Sequence, residues 1–161
     1  MVEVTVSGLA LDVSTNAPVV ILAPPNDSRI LPIWIGHYEA WAIAMELSEI
    51  PSKRPMTHDL LKSVLGELDA EVAKVSVTEM KESTFYAVIS LKSDGKSYEV
   101  DARPSDSIAL ALKTKAPIYV NSSLFNLRSI EDSEERKKYD PDELKQRLKN
   151  INPEDFGKYS L

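Results

Sequence analysis

The sequence contains no cysteine in 161 residues, and that absence removes disulfides, thiolate nucleophiles and cysteine-ligated zinc or iron–sulfur centres together. Any metal must sit on oxygen or on one of the two histidines. Long apolar runs are also missing: no stretch approaches the roughly 18 residues of a membrane helix. The opening MVEVTVSGLALDV lacks the basic start and unbroken apolar core of a signal peptide. A cytoplasmic protein with no membrane partner is the expectation. Basic charge is in deficit, with 19 Lys and Arg against 25 Asp and Glu, and the resulting −6 argues against broad, sequence-independent attraction to nucleic-acid phosphates. GxGxxG, GxxxxGK[ST], HExxH and GxSxG are all absent, which takes the main support from dinucleotide, P-loop, zincin and α/β-hydrolase readings. No basic and aromatic stripe offers single-stranded bases a stacking platform.

What is present reads as one core built from strands and helices. Val2, Val4 and Val6 alternate as a strand does, Gly8 interrupts them as a bulge would, and PVVILAP and RILPIWI complete a three-stranded meander. HYEAWAIAMELSEI predicts a helix over 37–50 whose polar edge is only Glu39, Glu46 and Glu49, so its wide apolar surface suits a central position or a subunit interface. THDLLKSVLGEL predicts a second helix over 57–68 with Thr57 as N-cap. DAEVAKVSVTEM, STFYAVISLKS and KSYEVDAR read as three strands, the last two joined at Asp94-Gly95, a strong hairpin signal. A third helix follows over 105–115, and PIYV is a short strand. The composition turns charged after Asn126, with Leu144, Leu148 and Ile151 as a thin seam for a helix near 141–150. The expectation is an α+β fold, a mostly antiparallel mixed β-sheet packed with three to four helices, with residues 1–128 as the domain and 129–161 as a charged helical extension.

The chemistry concentrates at two helix starts. In DARPSDSIALAL, Pro104 is preset for a first turn, and Ser105, Asp106 and Ser107 can cap free N–H groups and face the positive end of the helix dipole. Asp101 and Arg103 remain unexplained by capping. IALAL has no polar side, so charges at its mouth must be paired, metal-bound or open to a cleft. RPMTHDLL repeats the Arg-Pro theme with Arg54, Thr57, His58 and Asp59, a faint internal echo 49 residues earlier. His58 is either a solvated first-turn residue or a ligand or general base tuned by a carboxylate. His37 follows Gly36 as a cap of its own helix.

LPIWIGHYEAWAIAMEL, RPMTHDLL, DARPSDSIALALKTKAPIYV and NPEDFGKY, in this order and spacing, resemble the bifunctional nuclease family over roughly residues 2–126. The resemblance implies cleavage of both RNA and DNA, and it places the family's charged positions on Glu39, Arg54, His58, Asp59, Asp101, Arg103, Ser105 and Asp106. Phosphodiester hydrolysis needs an activated water and charge relief at the phosphate. His58, Asp59, Asp101 and Asp106 are the catalytic candidates, and Arg54, Arg103 and Ser105 those that hold substrate. Asp101 and Asp106 suit Mg²⁺ or Mn²⁺, which prefer oxygen. The competing expectation is a non-enzymatic module that assembles with itself or another protein through the helix at 37–50, its arginines merely pairing with neighbouring aspartates. A homo-oligomer is expected in either case.

Overall fold

The computed structural model describes residues 1–128 and 139–140, so the helix expected near 141–150 and most of the 129–161 extension lie outside the described residues. The elements run β1 (Val2–Asp12), β2 (Pro18–Ala23), β3 (Leu31–Trp34), α1 (His37–Leu47), α2 (Thr57–Glu67), β4 (Glu71–Lys81), β5 (Thr84–Ser93), β6 (Lys96–Ala102), α3 (Pro104–Thr114) and β7 (Ile118–Val120). A 3-10 turn at Ser122–Arg128 follows, and a short strand β8 (Tyr139–Asp140) pairs with β1. The α+β architecture is as the periodicities predict.

Two antiparallel meanders form from local signals. β1, β2 and β3 pair in order, and the register of β1 shifts between Val6 and Gly8, where the interrupted alternation places a bulge. β4, β5 and β6 pair likewise, the last two turning at Asp94 and Gly95, both at positive φ. The meanders share no direct pairing. β7 joins them, lying antiparallel to β1 and parallel to β4, so the sheet order is β3-β2-β1-β7-β4-β5-β6.

The crossover that inserts β7 is α3. Its Ile108, Ala109, Leu110 and Ala111 are all buried, each large side chain contributing about 1.5–3 kcal/mol by leaving water. Lys115 in the left-handed conformation closes the helix, and Ala116 donates its N–H to the Ala111 carbonyl. α1 packs on α3 and β2 through Ala40, Trp41 and Ile43. It ends at Leu47, short of the expected Ile50, because Glu49 adopts positive φ. Much of its apolar surface is thus spent inside the chain. α2 differs: none of its residues is buried, and Leu60, Leu61, Val64 and the following Leu68 are exposed.

The expected side-chain caps are not made. Met56 occupies the N-cap of α2 and Thr57 its first turn, because the Asp59 carboxylate reaches back to accept the Met56 N–H at 2.9 Å. Gly36 and Arg103 are the N-caps of α1 and α3, neither with a side-chain cap bond, so His37 and Ser105 do not cap. Ser107 instead donates its hydroxyl to the Arg103 carbonyl at 3.0 Å.

Candidate active site

Each of the three helices carries an acid three residues after its N-cap: Glu39 in α1, Asp59 in α2 and Asp106 in α3. Such a position places negative charge against the positive end of the helix dipole, worth about 0.3–1 kcal/mol each. All three acids line one cleft of about 550 Å³ between the helices and the 48–56 connection. Trp41, Met45, Ile50, Pro51 and Met56 form its apolar wall, and Glu46, Glu49, His58, Arg103 and Lys113 complete its polar lining.

The polar groups form two ionic rungs. At the mouth, Arg103 Nη1 donates to Glu39 Oε1 at 2.9 Å and Nε to Asp106 Oδ2 at 2.7 Å, while Asp106 Oδ1 meets His58 Nε2 at 3.2 Å. The first turns of α2 and α3, the two Arg-Pro corners of the sequence, therefore meet in space. In the second rung, Lys113 Nζ bridges Glu46 Oε2 at 2.7 Å and Asp59 Oδ1 at 2.6 Å. Glu39 and Glu46 are seven residues apart on α1, and Asp106 and Lys113 are seven apart on α3, which is two helical turns, about 10.5 Å, between rungs. That matched spacing makes α1 and α3 run parallel beside the cleft.

Charge states follow from these contacts. Burial works against ionisation of Asp59, but Lys113, the Met56 N–H and Ser52 outweigh it and hold the carboxyl below its ordinary value. Burial likewise opposes the Lys113 ammonium, and Asp59 and Glu46 raise its pKa in spite of that. Asp106, and then Glu39, raise Arg103.

The cleft gathers Glu39, His58, Asp59, Arg103 and Asp106 among the residues singled out in the sequence, and leaves three aside. Asp101 lies on the exposed edge strand β6, opposite Val88, and Arg54 is exposed on the 48–56 connection; neither lines the cleft. Ser105 is buried in the first turn of α3. No group of three or more His, Asp and Glu among the described residues could hold a metal ion, and both Asp106 oxygens already have partners. The donor set of the described residues therefore does not fit a resident Mg²⁺ or Mn²⁺. The sequence reading named Glu46 only as part of the polar edge of its helix and passed over Lys113, although their seven-residue spacing from Glu39 and Asp106 marked them as neighbours on the same helix faces.

Residues 20–133 match the family model described as the bifunctional nuclease domain. The chain belongs to the bifunctional nuclease domain family. An uncharacterized protein of Mycobacterium tuberculosis is 35% identical over 164 residues, covering 97% of this chain and 98% of that protein. Bifunctional nuclease 1 of Arabidopsis thaliana is 26% identical over 116 residues, 70% of this chain and 36% of that protein, and bifunctional nuclease 2 of Oryza sativa subsp. japonica is 26% identical over 125 residues, 73% and 38%. The chain thus spans little more than a third of each plant protein, whereas the mycobacterial relative is matched nearly end to end. The match reaches from β2 through the 3-10 turn and so takes in all three helices of the cleft.

Proposed function

We propose that this chain hydrolyses phosphodiester bonds of RNA or DNA at the cleft between α1, α2 and α3. The observation that carries the reading is the His58–Asp106–Arg103 chain at the mouth, an imidazole and a guanidinium held by one carboxylate. Asp106 accepts from His58 Nε2, so that nitrogen carries the proton and the Nδ1 lone pair is the base. His58 takes a proton from water, the water oxygen forms its bond to phosphorus, the bond to the leaving oxygen breaks, and that oxygen takes a proton from solvent. Asp106 orients the ring and balances the imidazolium that forms.

Arg103 uses Nε and one Nη1 hydrogen on Glu39 and Asp106, which leaves three of its five N–H groups for a phosphate. Three helix N-termini converge here and add positive potential. Arg54, exposed on the 48–56 connection, is left for substrate outside the cleft, and Asp59 holds the α2 turn that presents His58. Asp101 and Ser105 enter only as outer supports of the α3 corner. The substrate in this reading is cytoplasmic nucleic acid, with Mg²⁺ or Mn²⁺ as a cation carried on its phosphates.

Purified protein should cleave single-stranded RNA or DNA, and His58→Ala should lower kcat about 10²- to 10⁴-fold, the usual contribution of a general base, with thermal stability retained. Cleavage that copurifies unchanged with His58→Ala, with or without Mg²⁺ or Mn²⁺, sinks the assignment.

The exposed apolar ridge of α2, Leu60, Val64 and Leu68, favours a second reading, a self-assembling interaction module. A clean monomer by light scattering counts against it.

A further inference from the structure

Five carboxylates line the cleft against two cationic side chains, yet the proposed substrate is a polyanion. Coulomb repulsion keeps phosphate out of such an interior and confines it to the mouth, where the Arg103 side chain is 66% exposed. Two turns further along the helices the cation is enclosed instead, with Lys113 at 17% beside Glu46 at 29%. Trp41, Met45 and Met56 line the cleft there together with Glu46 and, at its solvent-exposed end, Glu49. Glu46 commits Oε2 to Lys113 and keeps Oε1 over, and the Glu49 carboxylate makes no hydrogen bond or ion pair among the described residues.

A nucleobase is the part of a nucleotide that suits this lining, because its faces are apolar and its polar edge carries N–H groups. An ionised carboxylate only accepts. Cytosine N4, adenine N6 and guanine N1 and N2 offer it hydrogen; uracil and thymine offer a single N–H flanked by two carbonyl oxygens, which repel it. We propose that the cleft takes the base next to the scissile phosphate and selects bases bearing an exocyclic amine over uracil and thymine. What is cleaved rests on the phosphodiester reading above; what is bound does not.

The test compares oligocytidylate with oligouridylate of equal length, together with binding of CMP and UMP followed by NMR titration. Cytidine should be favoured about tenfold or more in kcat/KM and in affinity. Glu49→Gln, whose amide donates as well as accepts, should bring the ratio towards one, and Glu46→Gln should do the same. Cleavage at equal rates on the two polymers, or a ratio unchanged in both variants, overturns base selection and leaves the nuclease reading standing. CMP preferred over UMP by a protein that cleaves neither polymer upholds the selection and removes the nuclease reading. Equal binding without cleavage removes both.

Discussion

The two ionic rungs are built from the same kinds of group and differ in how far their cation is exposed. Each holds one cation between two carboxylates, one from α1 and one from the first turn of another helix. Lys113 sits at 17% exposure with its charge balanced by Asp59 and Glu46, so it has the character of a tie between three helices. Arg103, at 66%, keeps spare donors in solvent and is joined to a histidine through Asp106. Geometry that is alike on paper thus separates by the access of its cation to water, and under the proposed function the enclosed cation is structural and the open one reactive. A compact ammonium suits the enclosed place and a five-donor guanidinium the open one.

Four substitutions or conditions can break or sharpen that contrast. The largest effect on activity belongs to the mouth: Arg103→Ala should lower kcat/KM about 100-fold or more while changing stability by less than about 1 kcal/mol, as exposed ion pairs do. Steady-state kinetics beside urea unfolding measure both, and a stability loss larger than the kinetic one would invert the assignment of the rungs. For the deep rung the order reverses. Lys113→Met strands two partly enclosed carboxylates and should cost about 3 kcal/mol, the low end for a broken buried pair, read as a drop in the urea midpoint.

pH sharpens the same difference. Asp59 is depressed from 3.8 and Lys113 raised from 10.5, so the contribution of the deep rung is whole between those values. It is lost as pH falls below 3.8 through the folded Asp59 value, and as pH rises past 10.5 through that of Lys113. The stability–pH curve of Lys113→Met should therefore be flatter at both limbs than that of the parent; parallel curves would refute the pairing.

The smallest effect is expected at Gly36. Its φ of −74° and ψ of 162° suit any residue, so no backbone strain requires glycine here. A Cβ at this position would collide with Glu39 Oε2. Gly36→Ala should rotate Glu39 away from Arg103, leave stability within about 0.5 kcal/mol and lower kcat/KM a few-fold, and Glu39→Gln should reproduce it. An alanine variant with unchanged kinetics would show that Glu39 does not position the guanidinium.

Much of this was legible in the chain. Alternation in 2–12, the Asp94-Gly95 turn and the apolar run Ile108–Leu112 predicted strands, hairpin and helix because each depends on neighbours within a few residues. The caps were less legible: acids at the third helical position looked like neighbours of the true cap, and Thr57 and His37 drew the eye instead. The candidate site was half visible. His58, Asp59, Arg103 and Asp106 stood out as charges beside apolar helices, whereas Lys113, at the far end of its helix, gave no sign of the two carboxylates it would meet.

By itself the sequence determined the periodic elements, the lack of any cysteine chemistry and the placing of one acid in the first turn of each helix, since these are local properties of composition and spacing. Tertiary structure decided the rest. The insertion of β7 between two meanders carries α3 across the sheet, and only that crossing sets Asp106 on His58 and Lys113 between Glu46 and Asp59, while leaving Asp101 on an outer strand. Which charge meets which depends on packing between segments up to 67 residues apart, and a window of a few residues holds no record of that distance.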